Sequence, residues 1–534
     1  MITSNVESLW LFALVSKCRS LTPLTTIIFA FLFLLSWLIL NLTFWAYPGG
    51  PAWGSLNWRK LIPISRPIPG PKGAPIIGSM SLMAGLAHRK IATMAEACQA
   101  KRLMAFSLGN TRAIVTCSPD VAKEILNSST FADRPANESA YNLMFNRSIG
   151  FAPYGVYWTT LRKIAGAHLF CPKHIKAYEH QRLEIANQVV AILNSKKYSD
   201  NNIPVRDILK LASLNNMMCS VFGRKYDLAD SANSDTAELR DLVELGYDLL
   251  GELNWSDHFS FLADFDLQKI RFRCSRLVPR VNRFVGRIIA EHKEEKGELN
   301  RDFVDVLLSL QGPERLSDSD MISVLWEMIF RGKDTVAVLI EWILARLVLH
   351  PDVQSKVHEE LDNVVGRSRA VTESDLTELV YLTAVVKEVL RLHPPGPLLS
   401  WSRLSIRDSI VDGYHVPAGT TAMVNMWAIA RDPSIWPDPL NFKPERFLSP
   451  DPNSEFSVLG SDLRLAPFGS GRRSCPGKTM GLTTVNFWVA TLLHEFQFLC
   501  CGDNNVDMSE VMRLSCEMAN PLMVRVRPRR CLSD

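Results

Sequence analysis

Apolar residues recur at helical spacing along most of this chain. Long runs of this kind cover residues 173–297, 317–350 and 478–494, and their periodicity predicts α-helices. The second run opens on Ser, Asp, Ser and Asp at 317–320, which suit the cap and the acidic first turn of a helix. The pattern therefore predicts a mainly α fold.

Alternating apolar and polar positions are confined to short stretches. Residues 103–108 and 112–117 are joined by a Gly-Asn-Thr link, which predicts a β-hairpin. Residues 522–527, near the C-terminal end of the sequence, alternate as well and predict a strand. Small β-sheets beside the helices are therefore expected.

The N-terminal part of the chain contains one long uncharged segment. Residues 20–58 have no Asp, Glu, Lys or Arg, and 24–47 are apolar enough to cross a bilayer core of about 30 Å. The alternative is a cleaved secretory signal, which would have a shorter apolar core and a small-residue cleavage site. Tryptophans and a tyrosine flank this segment as at a membrane interface, so we expect one uncleaved transmembrane helix.

The charges around this segment predict its orientation. More basic residues follow it than precede it: Arg59, Lys60, Arg66 and Lys72 against Lys17 and Arg19. Because basic residues favour the cytoplasmic side, the bulk of the chain is expected in the cytosol. The expected divisions are a lumenal segment at 1–23, the anchor at 24–47, a stiff proline-rich hinge at 48–78 and one domain at 79–534.

Composition excludes several classes of function. The 534 residues carry a formal net charge of only +4, so nothing favours nucleic-acid binding. The 11 cysteines are odd in number and form no C-x-x-C pair, which argues for a reducing compartment rather than a disulfide framework. With 47% hydrophobic residues, the chain can bury a large core.

One loop combines features that suit a flat prosthetic group. Residues 467–477 read Pro-Phe-Gly-Ser-Gly-Arg-Arg-Ser-Cys-Pro-Gly and lead directly into the apolar run at 478–494. A Cys475 thiolate at the start of a helix is stabilised by free N–H groups and the helix dipole. The glycines permit close approach of the backbone, and the arginines can neutralise anions. For a single cysteine, the alternative is an inert buried residue.

Five positions of this loop, Phe468, Gly471, Arg473, Cys475 and Gly477, match the pattern F-x-x-G-x-R-x-C-x-G. The loop thereby resembles the haem-ligand signature of the cytochrome P450 superfamily. The resemblance implies the cytochrome P450 fold, mainly α with small β-sheets, and a haem-thiolate monooxygenase domain with haem b as cofactor. It also implies that Cys475 is the axial ligand of the haem iron, since a thiolate there favours O–O cleavage.

Three further residues are expected at the edge of the haem. Trp158 and Arg162 are four residues apart and share a helix face. Without the resemblance, a surface arginine that shields a packed tryptophan would explain them. In the superfamily, W-x-x-x-R contacts the haem propionates, so the resemblance favours the haem role. Arg403 matches another position that contacts a propionate.

The middle of the helix expected at 317–350 carries the residues that would act on dioxygen. Gly332 costs about 1 kcal/mol relative to alanine inside a helix, so a reason for it is expected. With Asp334 and Thr335 it resembles the pattern A/G-G-x-D/E-T, in which a widened turn lies beside the oxygen site. The resemblance implies that Thr335 hydrogen-bonds the oxygen and that Asp334 relays protons. The alternatives are a threonine bonded to its own backbone and a solvated aspartate.

Arg331 departs from this pattern, which prefers a small residue at its position. It lies four residues after Glu327 and three before Asp334, so an intrahelical ion pair is one explanation. The second hypothesis is that Arg331, on the same helix face as Thr335, anchors a substrate carboxylate near the iron.

A second group of matching residues is expected to be structural. Glu388 and Arg391 share a helix face, and residues 444–447 resemble the P-E-R-F motif of the superfamily. The resemblance implies a cluster of Glu388, Arg391 and Arg446 that locks the core beside the thiolate loop.

Substrate contacts are expected from two further places. Leu398 and Leu399 lie in a segment that turns the chain toward the pocket. Pro521, in a turn before the last strand, is also expected to touch the substrate.

Three segments show a closer resemblance, to plant family 78, subfamily A (the KLUH-like group): residues 101–109, 150–153 and 330–342. Lys333 departs from the threonine usual in that group and is expected to point away from the haem. The resemblance implies an endoplasmic-reticulum enzyme that hydroxylates a small lipophilic substrate. A fatty acid or a lipid-derived signal that controls organ growth is suggested.

Electrons must come from a protein partner, because the sequence shows no flavin or nicotinamide domain. The superfamily uses a membrane-bound NADPH–cytochrome P450 reductase with an acidic docking face. Basic residues expected on the thiolate side are Arg162, Lys163, Arg472, Arg473 and Lys478. Two alternatives stay open: a reductase-independent haem-thiolate isomerase or dehydratase, and a haem-binding sensor without turnover.

Overall fold

The computed structural model describes residues 23–45, 48–54, 66–196, 202–226, 234–294, 302–399, 402–448, 456–501 and 506–530. Some sequence-based expectations concern residues outside these ranges. They are the lumenal segment up to residue 22, the last two residues of the expected anchor, and the middle of the hinge with Arg59 and Lys60.

Helices make up most of the described chain, as the periodicity predicted. In chain order they are α1 (Pro23–Trp45), α2 (Ala87–Ala97), α3 (Pro119–Asn127), α4 (Glu138–Asn142), α5 (Val156–His168), α6 (Pro172–Ala177), α7 (Glu179–Lys196), α8 (Val205–Phe222), α9 (Ser234–Gly251), α10 (Ile270–Glu294), α11 (Phe303–Ser309), α12 (Asp318–Gly332), α13 (Thr335–Leu349), α14 (Pro351–Val364), α15 (Val380–Leu392), α16 (Met426–Ile429) and α17 (Lys478–Glu495).

The described strands are short and form small sheets. They are β1 (Met104–Leu108), β2 (Thr111–Thr116), β3 (Ile203–Pro204), β4 (Arg403–Leu404), β5 (Ser409–Val411), β6 (Tyr414–Val416), β7 (Thr421–Val424), β8 (Phe496–Cys500), β9 (Glu510–Met512), β10 (Cys516–Met518) and β11 (Met523–Pro528). One sheet has the order β1-β2-β7-β4 and another β3-β11-β8, while β5-β6 and β9-β10 form two-stranded sheets. The expected class, mainly α with small β-sheets, is confirmed.

Both strand predictions from alternation are confirmed. β1 and β2 form the antiparallel hairpin, with Met104 opposite Val115 and Leu108 opposite Thr111. The turn contains Gly109 and Asn110 alone, because Thr111 already belongs to the ladder. At the C-terminal end, β11 pairs with β8 and with β3.

Two large apolar clusters form the core of the molecule. One gathers buried residues of α13, α15 and α17, and the other gathers buried residues of α8, α10 and α12. α12 therefore belongs to one cluster and α13 to the other. The junction between these two helices lies where the clusters meet.

The single helix expected at 317–350 is interrupted at that junction. α12 ends at Gly332 and α13 begins at Thr335. A Cβ at Gly332 would lie only 2.5 Å from the Cβ of Met217 on α8, and the hydroxyl of Ser213 donates to the Gly332 carbonyl oxygen at 2.5 Å. Glycine at 332 thus permits α8 to approach the interruption closely.

The segment expected to anchor the chain forms α1, a helix of 23 residues. Its large apolar side chains between Ile27 and Leu40 are exposed. Among the described residues, no helix combines the length and the apolar character needed to cross a membrane.

The described parts of the hinge lie against β1. The N–H of Ala105 donates to the carbonyl oxygen of Pro69 at 2.9 Å, and the indole of Trp53 donates to that of Phe106 at 3.0 Å. Trp53 and Ile68 are buried there. Residues 66–71 are non-helical, as expected from the prolines, whereas residues 51–54 form a helical turn, and both parts are hydrogen-bonded to β1.

Candidate active site

A cavity of about 300 Å³ lies between α12, α13 and the start of α17. α12 contributes Glu327 and Arg331 to its wall, α13 contributes Thr335, and the loop before α17 contributes Cys475. The fold therefore brings together side chains that are more than a hundred positions apart in sequence.

The loop that carries Cys475 is tightly constrained. The N–H of Cys475 donates to the carbonyl oxygen of Phe468 at 2.9 Å. Gly471 has a φ of +68°, and a Cβ there would collide with the carbonyl oxygen of Leu126 at the end of α3. Gly471 is thus required by its own backbone conformation and by the close approach of α3. Phe468 and Gly477 lie in the cavity wall.

The thiol of Cys475 is buried, so a positive charge nearby is needed to stabilise its ionised form. Burial raises its pKa, and the hydrogen bond from the backbone N–H of Gly477 opposes this rise. Coordination to a metal ion would deprotonate such a thiol outright. The donor therefore suits a thiolate ligand of iron.

Two buried arginines of the cavity wall each have a nitrogen without a hydrogen-bond partner among the described residues. These atoms are Nη1 of Arg403 and Nη1 of Arg473. Burial, together with neighbouring arginines, lowers the pKa of Arg403 to about 9, and burial lowers that of Arg473 to about 10. Arg473 has one carboxylate nearby, since its Nη2 lies 3.8 Å from Oδ1 of Asp133. Because an unpaired nitrogen on a buried cation is costly, two propionate groups would satisfy both nitrogens. The residues present thus fit a haem.

Trp158 and Arg162 lie beside these arginines on α5. The Trp158 indole donates to the carbonyl oxygen of Ile149 at 2.9 Å, so its N–H is already used. The Trp158 ring packs against the guanidinium of Arg473, whose carbon lies 4.1 Å from the ring centroid. Nη1 of Arg162 donates to the carbonyl oxygen of Ser474 at 3.0 Å. Both side chains line the cavity and also support the thiolate loop.

Thr335 and Asp334, which are expected to act on oxygen and protons, differ in their position relative to the cavity. Thr335 lines the cavity at the first turn of α13. Asp334 is buried outside the cavity wall, and its Oδ1 lies 3.5 Å from the Nζ of Lys210 on α8. The alternative of a solvated aspartate is therefore wrong. The main-chain turn between α12 and α13 separates Asp334 from the cavity.

Arg331 forms the ion pair that its spacing predicted. Its Nη2 lies 3.1 Å from Oε1 of Glu327, one helical turn away. The Glu327 carboxylate also accepts from the N–H of Gly150, at 2.9 and 3.1 Å. Arg331 remains in the cavity wall, and its contact with a substrate stays a prediction.

The other expected substrate contacts divide into two groups. Leu398 and Leu399 line the cavity, as expected. Pro521 is exposed and does not belong to the wall, because it lies in the turn that joins β10 to β11 at the surface. Lys333 also lies outside the wall, and burial lowers its pKa.

Comparison with known proteins agrees with this geometry. A family model described as Cytochrome P450 matches residues 68–521. The chain belongs to the cytochrome P450 family. Members of this family bind haem through a cysteine thiolate, so haem is the cofactor of this P450.

Particular relatives assign the chain to family 78, subfamily A. It is 65% identical over 531 residues to Cytochrome P450 78A3 from Glycine max, covering 99% of this chain and 100% of the relative. It is also 65% identical over 537 residues to Cytochrome P450 78A9 from Arabidopsis thaliana, covering 100% of both. Flavonoid 3'-monooxygenase from Arabidopsis thaliana is 36% identical over 474 residues, or 86% of this chain and 91% of the relative.

The structure of this P450 also brings together the three residues expected to form a structural cluster. Glu388 and Arg391 are fully buried, and two of their N–O pairs are 2.7 and 2.8 Å apart. Nε of Arg446 lies 3.1 Å from Oε1 of Glu388. Nη1 of Arg391 donates to two backbone carbonyl oxygens at 2.7 Å, so the cluster ties α15 to the segment before the thiolate loop.

Sequence reasoning missed the contribution of α8 to the cavity. Ser213, Asn216 and Met217 line it on the side of the α12–α13 interruption. This part of the sequence matched no motif. The available signal was a pair of asparagines, Asn215 and Asn216, between Leu214 and the two methionines that follow, since buried polar residues need a partner or a function.

Proposed function

We propose that the protein is a membrane-anchored monooxygenase that hydroxylates a small lipophilic substrate with O₂ and electrons from an NADPH–cytochrome P450 reductase. One observation carries the proposal. Cys475 and Thr335 line the same cavity, whose remaining wall includes apolar residues such as Leu339, Leu390 and Leu398. A bound haem supplies the iron that activates dioxygen.

The residues of the chain have separate roles in this proposal. Cys475 would hold the haem iron through its sulfur, and the hydrogen bond from the Gly477 N–H favours the ionised form of that sulfur. Arg403 and Arg473 bind the propionates through their unpartnered nitrogens. Thr335 presents its hydroxyl to the cavity, where it orients a proton toward the oxygen site.

Asp334 supplies protons to Thr335 from the far side of the helix interruption. Its carboxylate lies beside Lys210, which also lies 3.0 Å from Glu517. Asp334 directly precedes Thr335, the first residue of α13, so the proposed relay joins two neighbouring residues of the chain.

The partner and the location rest on charge and on the N-terminal segment. Lys163 and Arg472 are exposed and Lys478 is half-buried near the thiolate loop, so these three offer a basic docking face to an acidic reductase. Arg162 and Arg473 point inward and are left out of that face. The exposed apolar side chains of α1 and the charges around it support a single-pass anchor in the endoplasmic reticulum membrane, with the domain in the cytosol.

Reduction under carbon monoxide tests the ligation, because a thiolate-bound haem gives a Soret band shifted far to the red. We expect this band from the purified full-length protein and its loss in Cys475→Ser. A well-folded, haem-loaded parent without the band would contradict the proposal.

Turnover tests the reaction. Addition of the reductase and NADPH is expected to produce oxygen-dependent hydroxylation of a lipophilic substrate found by comparing metabolites formed by the parent and by Cys475→Ser. Turnover that needs neither NADPH nor oxygen would instead support an isomerase or dehydratase. Alkaline carbonate extraction tests the anchor: the chain is expected in the pellet, and a chain lacking residues 1–47 in the supernatant.

A further inference from the structure

A group of side chains that can bind a metal ion lies between α2 and the β9–β10 hairpin. It consists of His88 in the first turn of α2, Glu510 on β9 and Cys516 on β10. One ligand atom from each side chain lies within 4.8 Å of the other two. The three residues are outside the wall of the haem cavity, so they form a separate cluster.

The pairing of β9 with β10 places the acid and the thiol on one face of the hairpin. Glu510 is opposite Met518, and Cys516 is opposite Met512. Because paired residues and residues two apart share a face of a sheet, Glu510 and Cys516 are diagonal neighbours. The N–H of Cys516 donates to the carbonyl oxygen of Pro395 at 2.8 Å, which attaches this hairpin to the segment after α15.

His88 is buried in this cluster without a hydrogen bond. Its side chain is 0% exposed, that of Glu510 is 2% exposed and Cys516 is 5% exposed. Nε2 of His88 lies 3.5 Å from Oε2 of Glu510, but neither ring nitrogen makes a hydrogen bond to a described residue. The ring packs edge-to-face on Trp427, with 5.2 Å between the ring centroids. A buried polar group in this state costs free energy, which a bond from a ring nitrogen to a metal ion would recover.

The Glu510 carboxylate is held in place by groups around the cluster. Arg89 donates to its Oε2 at 2.6 Å, and Nδ1 of His393 lies 3.4 Å from its Oε1. Nε2 of His393 accepts from Arg346 at 3.0 Å, so Nδ1 carries the ring proton and points it toward Glu510. Outer hydrogen bonds of this kind commonly orient metal ligands, and each carboxylate oxygen keeps a further lone pair for a metal ion.

The chemistry of the three donors selects zinc. Imidazole nitrogen, thiolate sulfur and carboxylate oxygen all bind Zn²⁺, at about 2.0–2.3 Å. In a tetrahedral site these bond lengths put neighbouring ligand atoms roughly 3.3–3.8 Å apart, so the side chains need to move together by only about 1 Å. Mg²⁺ and Ca²⁺ prefer oxygen ligands, and a thiol disfavours both.

The charges around the cluster balance one another. Arg89 and Arg431 lie near enough to Cys516 to stabilise a thiolate there, and together they offset that thiolate and the Glu510 carboxylate. Three neutral histidines are enough to bind zinc in other proteins. A set of ligands and neighbours that is neutral overall can therefore accept the ion.

We propose that His88, Glu510 and Cys516 bind one Zn²⁺ ion, with a water molecule as the fourth ligand. On binding, the S–H bond of Cys516 is replaced by an S–Zn bond and the proton goes to solvent, so nothing is oxidised or reduced. The ion joins α2 to the β9–β10 hairpin. Its role is structural, and it extends to the haem cavity through Pro395, which lies in the cavity wall.

Metal analysis tests the proposal on the full-length, haem-loaded protein without an affinity tag. After dialysis against Zn²⁺ and gel filtration, the parent is expected to hold about one zinc ion per haem iron. Cys516→Ser should weaken zinc binding by more than the about 10–100-fold that loss of an outer hydrogen bond causes. Cys274→Ser is the matched control, because that residue is 1% exposed on α10 and belongs to no metal-ligating group of the described residues.

X-ray absorption at the zinc edge identifies the ligands. One sulfur at about 2.3 Å, with nitrogen and oxygen ligands at about 2.0–2.2 Å, is expected in the parent, and the sulfur should be missing in Cys516→Ser. Because an ion that binds the folded state stabilises it, added Zn²⁺ should raise the thermal midpoint of the parent but not that of His88→Gln.

Equal zinc content in the parent and in Cys516→Ser, or bound zinc without a sulfur ligand, would overturn the proposal. So would zinc that is lost in His292→Gln and kept in Cys516→Ser, because this would place the ion at His292, Asp302 and Asp305. The carbon monoxide band reports whether each variant is folded with Cys475 on the haem, and Cys516→Ala replaces Cys516→Ser if that variant fails this check.

Discussion

Glu327 and Arg331 form an ion pair across one turn of α12, with Oε1 and Nη2 3.1 Å apart, and the pair fills the space beside Gly150. Glu327 also accepts from the Gly150 N–H, while Nε of Arg134 donates to the Gly150 carbonyl oxygen at 3.1 Å. The segment before α5 is therefore fastened to the cavity wall on both sides of one residue. This fastening places Phe151 against the guanidinium of Arg331, 5.8 Å from the ring centroid.

Gly150→Ala is expected to break this fastening. The new Cβ would collide with Nη2 of Arg331 and Oε1 of Glu327, and such overpacking costs about 1–3 kcal/mol. We expect a lower thermal midpoint and faster ligand dissociation, followed by stopped-flow displacement. Gly155→Ala is the matched control, because a Cβ there meets nothing within 4 Å. Identical behaviour of the two variants would show that the Gly150 contact is unimportant.

Glu388→Gln is expected to be strongly destabilising. The variant leaves the buried guanidinium of Arg391 without its carboxylate, and removal of one partner of a buried ion pair costs about 3–5 kcal/mol. Low haem content and a large fall in the unfolding midpoint are the expected results. Asp241→Asn serves as the control, because its pair with Arg280 at 2.7 Å is exposed and is worth about 0–1 kcal/mol. A fall no larger than that of the control would count against a structural role for the cluster.

The sequence predicts those parts of the site whose residues lie close together along the chain. The thiolate loop places its cysteine, glycines and arginine within ten positions, and Glu388 and Arg391 share a helix face. The contact between Gly150 and Glu327 joins residues 177 positions apart, and no periodicity encodes it. The place of Asn216 in the cavity wall was missed for the same reason, since it depends on where α8 packs.

Local patterns also misplaced some residues. Pro521 was expected at the substrate because of its turn, but a turn says nothing about which face of the molecule it occupies. Residues 317–350 were predicted to form one long helix, and only the resemblance implied a widened turn near Gly332. The interruption lies where Met217 of α8 packs against Gly332 of α12.

Gly332→Ala tests why glycine stands before this interruption. Alanine gains about 1 kcal/mol in helix propensity, but its Cβ would lie 2.5 Å from the Cβ of Met217. Since an overpacked contact costs about 1–3 kcal/mol, a net loss of stability is expected in thermal unfolding. Met217→Ala would keep the Cβ of residue 217, so Met217→Gly is the partner variant. Gly332→Ala should cost less stability in the Met217→Gly background than in the parent. No coupling in this double-mutant cycle would refute the packing explanation.

Reduction by the reductase is expected to slow steeply as salt rises, because attraction between charged faces is screened. At low salt, Arg472→Glu, which reverses one exposed charge beside the thiolate loop, should be reduced more slowly than the parent. Arg276→Glu reverses an exposed charge on α10 and is the control. Stopped-flow formation of the carbon monoxide complex measures both variants. Rates insensitive to salt, or equally affected by both changes, would exclude this docking face.

The contributions of Asp257 and His258 to the stability of the protein are expected to change with pH in opposite directions. Burial raises the pKa of Asp257 to about 6 and lowers that of His258 to about 4. For Asp257 the folded state binds the proton more tightly than the unfolded state does, so its contribution to stability falls as pH rises from about 4 to about 6. For His258 the unfolded state binds the proton more tightly, so its contribution falls as pH decreases from about 6.5 to about 4.

Removing each group separates the two effects. Relative to the parent, Asp257→Asn should be more stable above pH about 6, by about 1–3 kcal/mol, with the advantage vanishing near pH about 4. The amide oxygen can still accept from the Glu138 N–H, which donates to Asp257 at 2.9 Å. His258→Gln should show the reverse trend, with its relative stability improving toward pH about 4. Thermal midpoints measured across this range check both slopes, and parallel curves for parent and variants would show that neither side chain is shifted as described.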